Sequence, residues 1–244
     1  MRDYSSEIKN RVEFIRDILK KSGLSAIVFG NSGGKDCALT GILCKMACDD
    51  TIGLILPCGA FQLGGDDIKD AKMMAEKFNI HTRIIDITEV KDALVSALKK
   101  NCDISESAEQ NISPRIRMTA LYSVAASENR LVAGTGNRSE RHMGYFTKWG
   151  DGAYDFNPIA DLTATEVFEF LRFLKVPNRI IEKAPSAGLF EGQTDEKDMG
   201  VTYAGIDGYL MGGDCTKEDL EIIEKYHRIS AHKRKPPALY GDFA

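Results

Sequence analysis

Four short apolar runs, at 26–29, 51–57, 82–87 and 131–134, alternate with stretches of helical period, and this alternation constrains the fold most. The helical stretches lie at about 35–48, 66–78, 89–100 and 115–129. One more precedes the first run, near 4–21, and two follow the last, near 163–175 and 216–230. Strands that are apolar on both faces, separated by helices, predict a parallel sheet covered on both sides. The expected fold is therefore α/β, a doubly wound, mostly parallel sheet with helices on both faces. Right-handed crossovers bring the loops that follow the strands to one edge, where ligands bind. With no internal repeat and no low-complexity linker, residues 1–244 read as one domain.

Composition removes several classes. An apolar fraction of 43% with a net charge of -4 argues against disorder, and the acidic balance argues against a dedicated duplex nucleic-acid binder. No apolar run approaches the ~20 residues that cross a bilayer. The charged amino terminus resembles no secretory segment, so a cytoplasmic protein without a membrane partner is expected. Cys37, Cys44, Cys48, Cys58, Cys102 and Cys215 form no Cys-x-x-Cys pair. Reduced structural thiols are the expectation.

The sharpest chemical signal is Phe29-Gly30-Asn31-Ser32-Gly33-Gly34-Lys35-Asp36-Cys37, between the first strand and a helix. Glycines permit a tight turn, and the helix start presents unpaired N–H groups and the positive end of its dipole. A phosphate fits there. The spacing is not that of a Walker A loop, which has four residues before Gly-Lys and a Ser or Thr after it. Asp36 beside a phosphate cradle makes sense if a Mg²⁺ ion sits between carboxylate and phosphate oxygens. The segments 101–114 and 184–213, the second rich in glycine, are expected to be irregular binding loops.

At this loop the chain resembles the N-type ATP pyrophosphatases, whose Ser-Gly-Gly-x-Asp-Ser signature is matched from Ser32 to Asp36, with Cys37 in the last place. Five further segments narrow the resemblance to the ammonia-dependent NAD⁺ synthetases. They are Arg115-Ile116-Arg117-Met118, Gly134-Thr135-Gly136-Asn137-Arg138-Ser139-Glu140, Gly144 to Gly152, Lys183 to Leu189, and His232-Lys233-Arg234. The resemblance implies an adenine nucleotide alpha hydrolase-like fold and an ATP-dependent amidation of deamido-NAD⁺ with free ammonia. Its products would be NAD⁺, AMP and diphosphate, formed through an adenylate, and the enzyme would be a ligase working as a homodimer.

Carried over by position, Gly30, Asn31, Ser32, Gly33, Gly34, Lys35, Asp36, Cys37, Thr135 and Ser186 would bind ATP. Asp36 and Glu140 would hold Mg²⁺, and Arg115, Lys148, Asp155, His232 and Lys233 would bind deamido-NAD⁺. Asp36, Asp151 and Lys148 would be catalytic, Asp151 by holding or deprotonating ammonium. Read without the resemblance, Asp151 and Asp155 are equally turn-capping acids, and His81 and His142 have no evident role. Two other functions stay open: the same chemistry on another acceptor, and a catalytically weak nucleotide-binding homologue.

Three positions depart from the family pattern. Ala164 stands where a lysine usually contacts ATP, Lys35 is a cation where an apolar residue is common, and Cys37 replaces a serine hydroxyl. The paired loss and gain suggest that Lys35 partly replaces the charge missing at Ala164.

Overall fold

The computed structural model describes residues 2–59, 62–63, 65–186, 188 and 192–240. Among them the strands β1 (Ala26–Gly30), β2 (Thr51–Ile55), β3 (His81–Ile84) and β4 (Arg130–Ala133) form one parallel sheet in the order β3-β2-β1-β4. Val28 of β1 pairs with Ile52 on one side and Val132 on the other. The helices are α1 (Tyr4–Ser22), α2 (Lys35–Ala47), α3 (Asp66–Lys77), α4 (Thr88–Lys99), α5 (Glu106–Gln110) and α6 (Ile112–Glu128). After β4 come α7 (Arg138–Met143), α8 (Ala164–Phe173), α9 (Asn178–Ile181), α10 (Asp195–Met199), α11 (Tyr203–Leu210) and α12 (Lys217–Ile229). A 3₁₀ turn, Ala231–Lys233, follows α12.

The period-2 alternation of the strands sorts the core into two layers. Ile27, Phe29, Leu131 and Ala133 face Ile15 of α1, Leu39 and Leu43 of α2, and Phe170 and Leu171 of α8. Val28, Ile52, Leu54 and Val132 face Met118, Leu121 and Ala125 of α6. The expected α/β sheet covered on both faces is thus present. A third cluster, with Met143, Ala164, Met199, Tyr203, Ile206 and Ile223, joins α7, α8, α11 and α12.

Local chemistry sets the helix ends. Asp3 caps α1 by accepting from the Ser5 and Ser6 amides, and Gly23 ends it at a φ of 73°. Thr163 and Glu166 form a reciprocal capping box that starts α8.

Several boundaries differ from the sequence expectation. The pairing of β2 with β3 continues past Ile55 through Ile85 N–H to the Ile55 carbonyl and Ile87 N–H to the Pro57 carbonyl. Pro57 has no N–H to return, so the regular ladder stops at Ile55 and Ile84 rather than at 57 and 87. The segment 101–114 is not an irregular loop: it holds α5 and the first turn of α6, where Pro114 removes an amide that needs no helical partner. Segment 184–213 likewise contains α10 and α11. Burial of Tyr203 and Ile206 against α8 and α12 makes α11 helical despite two glycines. The short helices α7 and α9 have too few residues to show a period.

Candidate active site

The turn after β1 sits at the carboxyl edge of the sheet. Asn31 continues the strand, with its amide donating to the Leu54 carbonyl at 2.8 Å. Its side chain serves the turn itself: Nδ2 donates to the Ala71 carbonyl at 3.1 Å, and Oδ1 accepts from the Gly33 amide at 3.3 Å. Gly33 has a φ of +78°, and a Cβ there would lie 2.3 Å from the Asp67 carbonyl oxygen of α3. Only glycine satisfies both the left-handed backbone and this approach. Ser32 Oγ accepts from the Gly34 amide at 3.4 Å. The helix α2 then starts at Lys35 with no side-chain cap on its first turn. Its leading N–H groups and dipole are left for an anion.

Cys37 does not present a donor outward. Its sulfur lies 3.3 Å from Ser32 Oγ and 3.1 Å from the Gly34 carbonyl, and burial pushes the thiol pKa up. Its side chain is thus engaged within the turn.

Asp36 and Glu140 converge on this turn from different elements. Asp36 rides the first turn of α2, and its Oδ1 accepts from Asn137 Nδ2 at 3.0 Å. Glu140 is fixed by a capping box on α7: its Oε2 accepts from the Asn137 amide at 3.1 Å, while Asn137 Oδ1 accepts from the Glu140 amide at 3.0 Å. The other oxygens of both acids meet Lys35. Its Nζ lies 2.6 Å from Asp36 Oδ2 and 3.6 Å from Glu140 Oε1. Burial raises the Glu140 pKa, Asp36 raises it further and Lys35 opposes both, leaving it pushed up to about 8. Burial works against the Lys35 charge, but Asp36, Glu140 and Asp195 outweigh it and hold the ammonium above the ordinary lysine range.

Among the described residues, no group of three or more His, Cys, Asp or Glu side chains is arranged to hold a metal. Two carboxylates with substrate phosphate oxygens are nevertheless what Mg²⁺ ordinarily takes. The donor set of Asp36 and Glu140 fits that ion.

Thr135 is half-buried in the loop after β4. Ala164 is fully buried at the start of α8, where its amide donates to Ser139 Oγ at 3.1 Å. The neighbouring Thr165 amide donates to Asp207 Oδ2 at 2.7 Å. Lys35 approaches the same corner, with Nζ 5.2 Å from the centroid of the Tyr203 ring and 5.8 Å from that of Phe168.

A second group forms around residues 146–151. Lys148 Nζ donates to the His232 carbonyl at 3.0 Å, and Arg115 Nε donates to the Lys148 carbonyl at 3.3 Å. Lys233 Nζ donates to the carbonyls of Gly144 and Phe146 at 2.8 and 2.7 Å, and its desolvation lowers its pKa. Asp151 Oδ1 accepts from the Thr147 amide at 3.0 Å. Arg115, Lys148, Asp151, His232 and Lys233 are thus brought together, but Lys233 already serves backbone carbonyls. Asp155 is also engaged, accepting from the Val132 amide at 2.7 Å and from the Tyr122 hydroxyl at 3.2 Å. Its side chain fastens the 154–157 segment to β4.

Ser186 Oγ accepts from the Gly188 amide at 3.1 Å. Lys183 and Gly188 are tied to α3 and to the loop after β2 by contacts that the motifs do not show. Lys183 contacts Asp67 and donates to Asp70 at 2.9 Å, and Gln62 Nε2 donates to the Gly188 carbonyl at 2.7 Å. Gln62 Oε1 in turn accepts from Arg117 at 2.9 Å, while Arg117 Nε donates to the Leu56 carbonyl at 3.0 Å. The Arg-Ile-Arg-Met segment contained Arg117, but its inward direction is set by the register of α6 and is invisible in the motif. A groove of about 830 Å³ lined by Lys45, Thr51, His81 and Arg130 lies at the opposite, amino-terminal edge and meets none of these groups.

A family model described as NAD synthase matches residues 7–237 of this chain. An NH(3)-dependent NAD(+) synthetase from Carboxydothermus hydrogenoformans is 43% identical over 240 residues, covering 97% of this chain and 98% of the relative. Among solved structures, an NMN synthetase from Francisella tularensis superposes with a TM-score of 0.93 at 38% identity, with 100% of both chains covered. An NH3-dependent NAD synthetase from Campylobacter jejuni superposes with a TM-score of 0.80 at 27% identity, covering 98% of this chain and 100% of the other.

Proposed function

The chain belongs to the NAD synthase family, and from that premise we propose that it amidates deamido-NAD⁺ with ammonia at the expense of ATP, as a C–N bond-forming ligase. The observation that carries this reading is the convergence of Asp36 and Glu140 on the uncapped start of α2. In the reaction a nicotinate carboxylate oxygen attacks the α-phosphorus of ATP. The bond from that phosphorus to the bridging oxygen breaks, and diphosphate departs with the electron pair. Ammonia then attacks the acyl carbon, AMP leaves, and the nitrogen loses a proton to give the amide.

The turn from Gly30 to Cys37 supplies N–H groups of a helix start to the departing diphosphate, where negative charge accumulates. A Mg²⁺ ion held by Asp36 and Glu140 would neutralise that charge when bound. Asn137 orients both carboxylates. Thr135 and Ser186 flank the nucleotide, and Arg115, Lys148, Asp155, His232 and Lys233 form the acceptor side. The charges near 232–234 suit acceptor phosphates. Asp151 and Lys148 stand at the ammonia step, Asp151 as the acceptor of the ammonium proton. Residues 1–244 act as one domain, in the cytoplasm and as a homodimer. Among the described residues, no helix is long and apolar enough to cross a membrane.

The test is incubation with ATP, Mg²⁺, ammonium and deamido-NAD⁺, following NAD⁺, AMP and diphosphate together. Equal amounts of the three are expected, and chelation of the metal stops all of them. No AMP under these conditions rules the reading out. A second reading rests only on the likeness to the NMN synthetase, at a TM-score of 0.93, and the curated relatives, named NH(3)-dependent NAD(+) synthetases, do not favour it. It keeps the chemistry and replaces the dinucleotide with nicotinate mononucleotide. Comparing kcat/KM for the two acceptors in the same assay separates them.

A further inference from the structure

Lys35 is a buried lysine directed at the two acids that the reaction needs for a cation. Its side chain is 6% exposed, and those of Asp36 and Glu140 are 15% and 17% exposed. The ammonium lies in the space between the two acids, in contact with Asp36 and within ion-pair distance of Glu140. Each carboxylate has one oxygen tied to Asn137 and the other turned to Lys35. A divalent ion bound by both acids through the oxygens that now face Lys35 must take the place that the ammonium holds.

We propose that Lys35 is an internal competitor of the divalent cation. Its ammonium neutralises Asp36 and Glu140 when the site holds no metal and leaves them when the metal binds. The inference rests on the assignment of Asp36 and Glu140 as metal carboxylates, but not on which acceptor is amidated.

Three physical facts support the exchange. Two neighbouring carboxylates at a buried site repel each other and need a counter-charge to stay ionised. Lysine supplies a compact charge on a four-carbon stem with rotatable donors, so it can withdraw without moving the backbone. The aromatic faces of Tyr203 and Phe168, 5.2 and 5.8 Å from Nζ, offer that cation a favourable neighbourhood beside the acids. Nucleotide phosphates entering at the α2 start would offer it a second partner.

The test measures metal binding rather than turnover. Mn²⁺ is titrated into the full-length protein without nucleotide, and free Mn²⁺ is followed by electron paramagnetic resonance. Lys35→Met, which keeps the length of the stem, is expected to bind Mn²⁺ about tenfold more tightly or better than the unaltered protein, because no ammonium must be displaced. Lys35→Arg should bind no more tightly than the unaltered protein. Unchanged or weaker Mn²⁺ binding by Lys35→Met overturns the proposal. If that variant does not fold, the unaltered protein still decides. Mg²⁺ should accelerate acylation of Lys35 by an amine-reactive reagent, read by peptide mass spectrometry, and an unchanged rate overturns the idea. Failure to amidate deamido-NAD⁺ would leave both readouts intact, so the two readings fall separately.

Discussion

Asn137 Nδ2 donates to Asp36 Oδ1 at 3.0 Å, a contact across 101 residues of sequence that ties the loop after β4 to the first turn of α2. The same side chain caps α7 through its Oδ1 and thereby fixes Glu140. One amide group thus sets the position of both acids. If Asp36 and Glu140 hold the metal as proposed, Asn137→Ala is expected to lower kcat/KM for ATP by about 10–100-fold, through loss of the group that orients both acids. Loss of the cap should cost a further ~1 kcal/mol of stability. Asn137→Asp keeps the cap acceptor but sets a like charge against Asp36, so stability should largely recover while activity does not. Thermal melts and initial rates on the two variants check this division.

Gly33 allows the turn after β1 to lie against α3. Its φ of +78° and the 2.3 Å approach of a would-be Cβ to the Asp67 carbonyl leave no room for a methyl group. Gly33→Ala must shift the turn or the start of α3, and backbone cannot move as a side-chain tip can. A loss of about 1–3 kcal/mol is expected from the strained conformation alone. ATP binding, followed by calorimetry, should fall at least about tenfold as the amides lose their alignment. Gly34→Ala is the contrast: a Cβ there meets only Ser32 Oγ, at 3.4 Å, and Gly34 is not among the glycines with positive φ. Its effect on stability should be small.

The sheet and the glycine turn after β1 were legible in the sequence because their signals are local. Val28 and its neighbours are apolar on both faces, and Gly33-Gly34-Lys35-Asp36 follows directly on β1. The burial of Lys35 was not legible, because it depends on Glu140, 105 positions away, and on Tyr203 from α11. The likeness to a known family singled out Asp36, Glu140 and Lys35, but it offered the lysine as an ATP contact and not as an ammonium lying between the two acids. Position in the motifs offers Asp155 and Lys233 as acceptor-binding groups but does not show the backbone that each engages. Their hydrogen bonds to Val132 and to the Gly144 and Phe146 carbonyls arise from how the 144–157 segment folds back on β4 and on the chain end. Lys35 and Ala164 are linked only through the cluster around Tyr203, whose ring centroid is 5.2 Å from Lys35 Nζ and which shares its buried cluster with Ala164.

Arg11 joins α1 to the segment that leads into α8. It donates to Asp161 at 2.6 and 2.9 Å, to Glu7 at 2.7 Å and to the buried Pro158 carbonyl. Arg11→Met retains much of the stem packing but leaves that carbonyl without its donor. Because Asp161 is more than half exposed, the ion pair is discounted, and a loss of about 1–3 kcal/mol is expected from the orphaned acceptor. Denaturant unfolding should show a lower midpoint with an unchanged slope. KM for ATP should not move, since Arg11 contacts none of the site groups.

His142 and His227 stack with ring centroids 4.1 Å apart and planes 17° from parallel, and Arg234 donates to the His142 carbonyl at 3.2 Å. Burial first, then repulsion from His227, Arg234 and Arg138, holds the His142 pKa at about 4, below its ordinary 6.5. Its buried Nε2 has no hydrogen-bond partner among the described residues. The unfolded chain therefore binds a proton between about pH 6.5 and 4 that the folded chain refuses. Folding stability from this residue is complete above pH 6.5 and declines as the pH falls through that window. With the shift discounted for the solvent that reaches the ring, the loss is about 1 kcal/mol, or roughly 2–4 °C in Tm for a chain of this size. His142→Phe keeps an aromatic ring against His227 and removes the titration. Melts from pH 7.5 to 4.5 should therefore show a shallower acid decline for this variant. Parallel curves for the two proteins would place the acid sensitivity elsewhere, and the stacked pair would then be a packing contact without a proton-linked role.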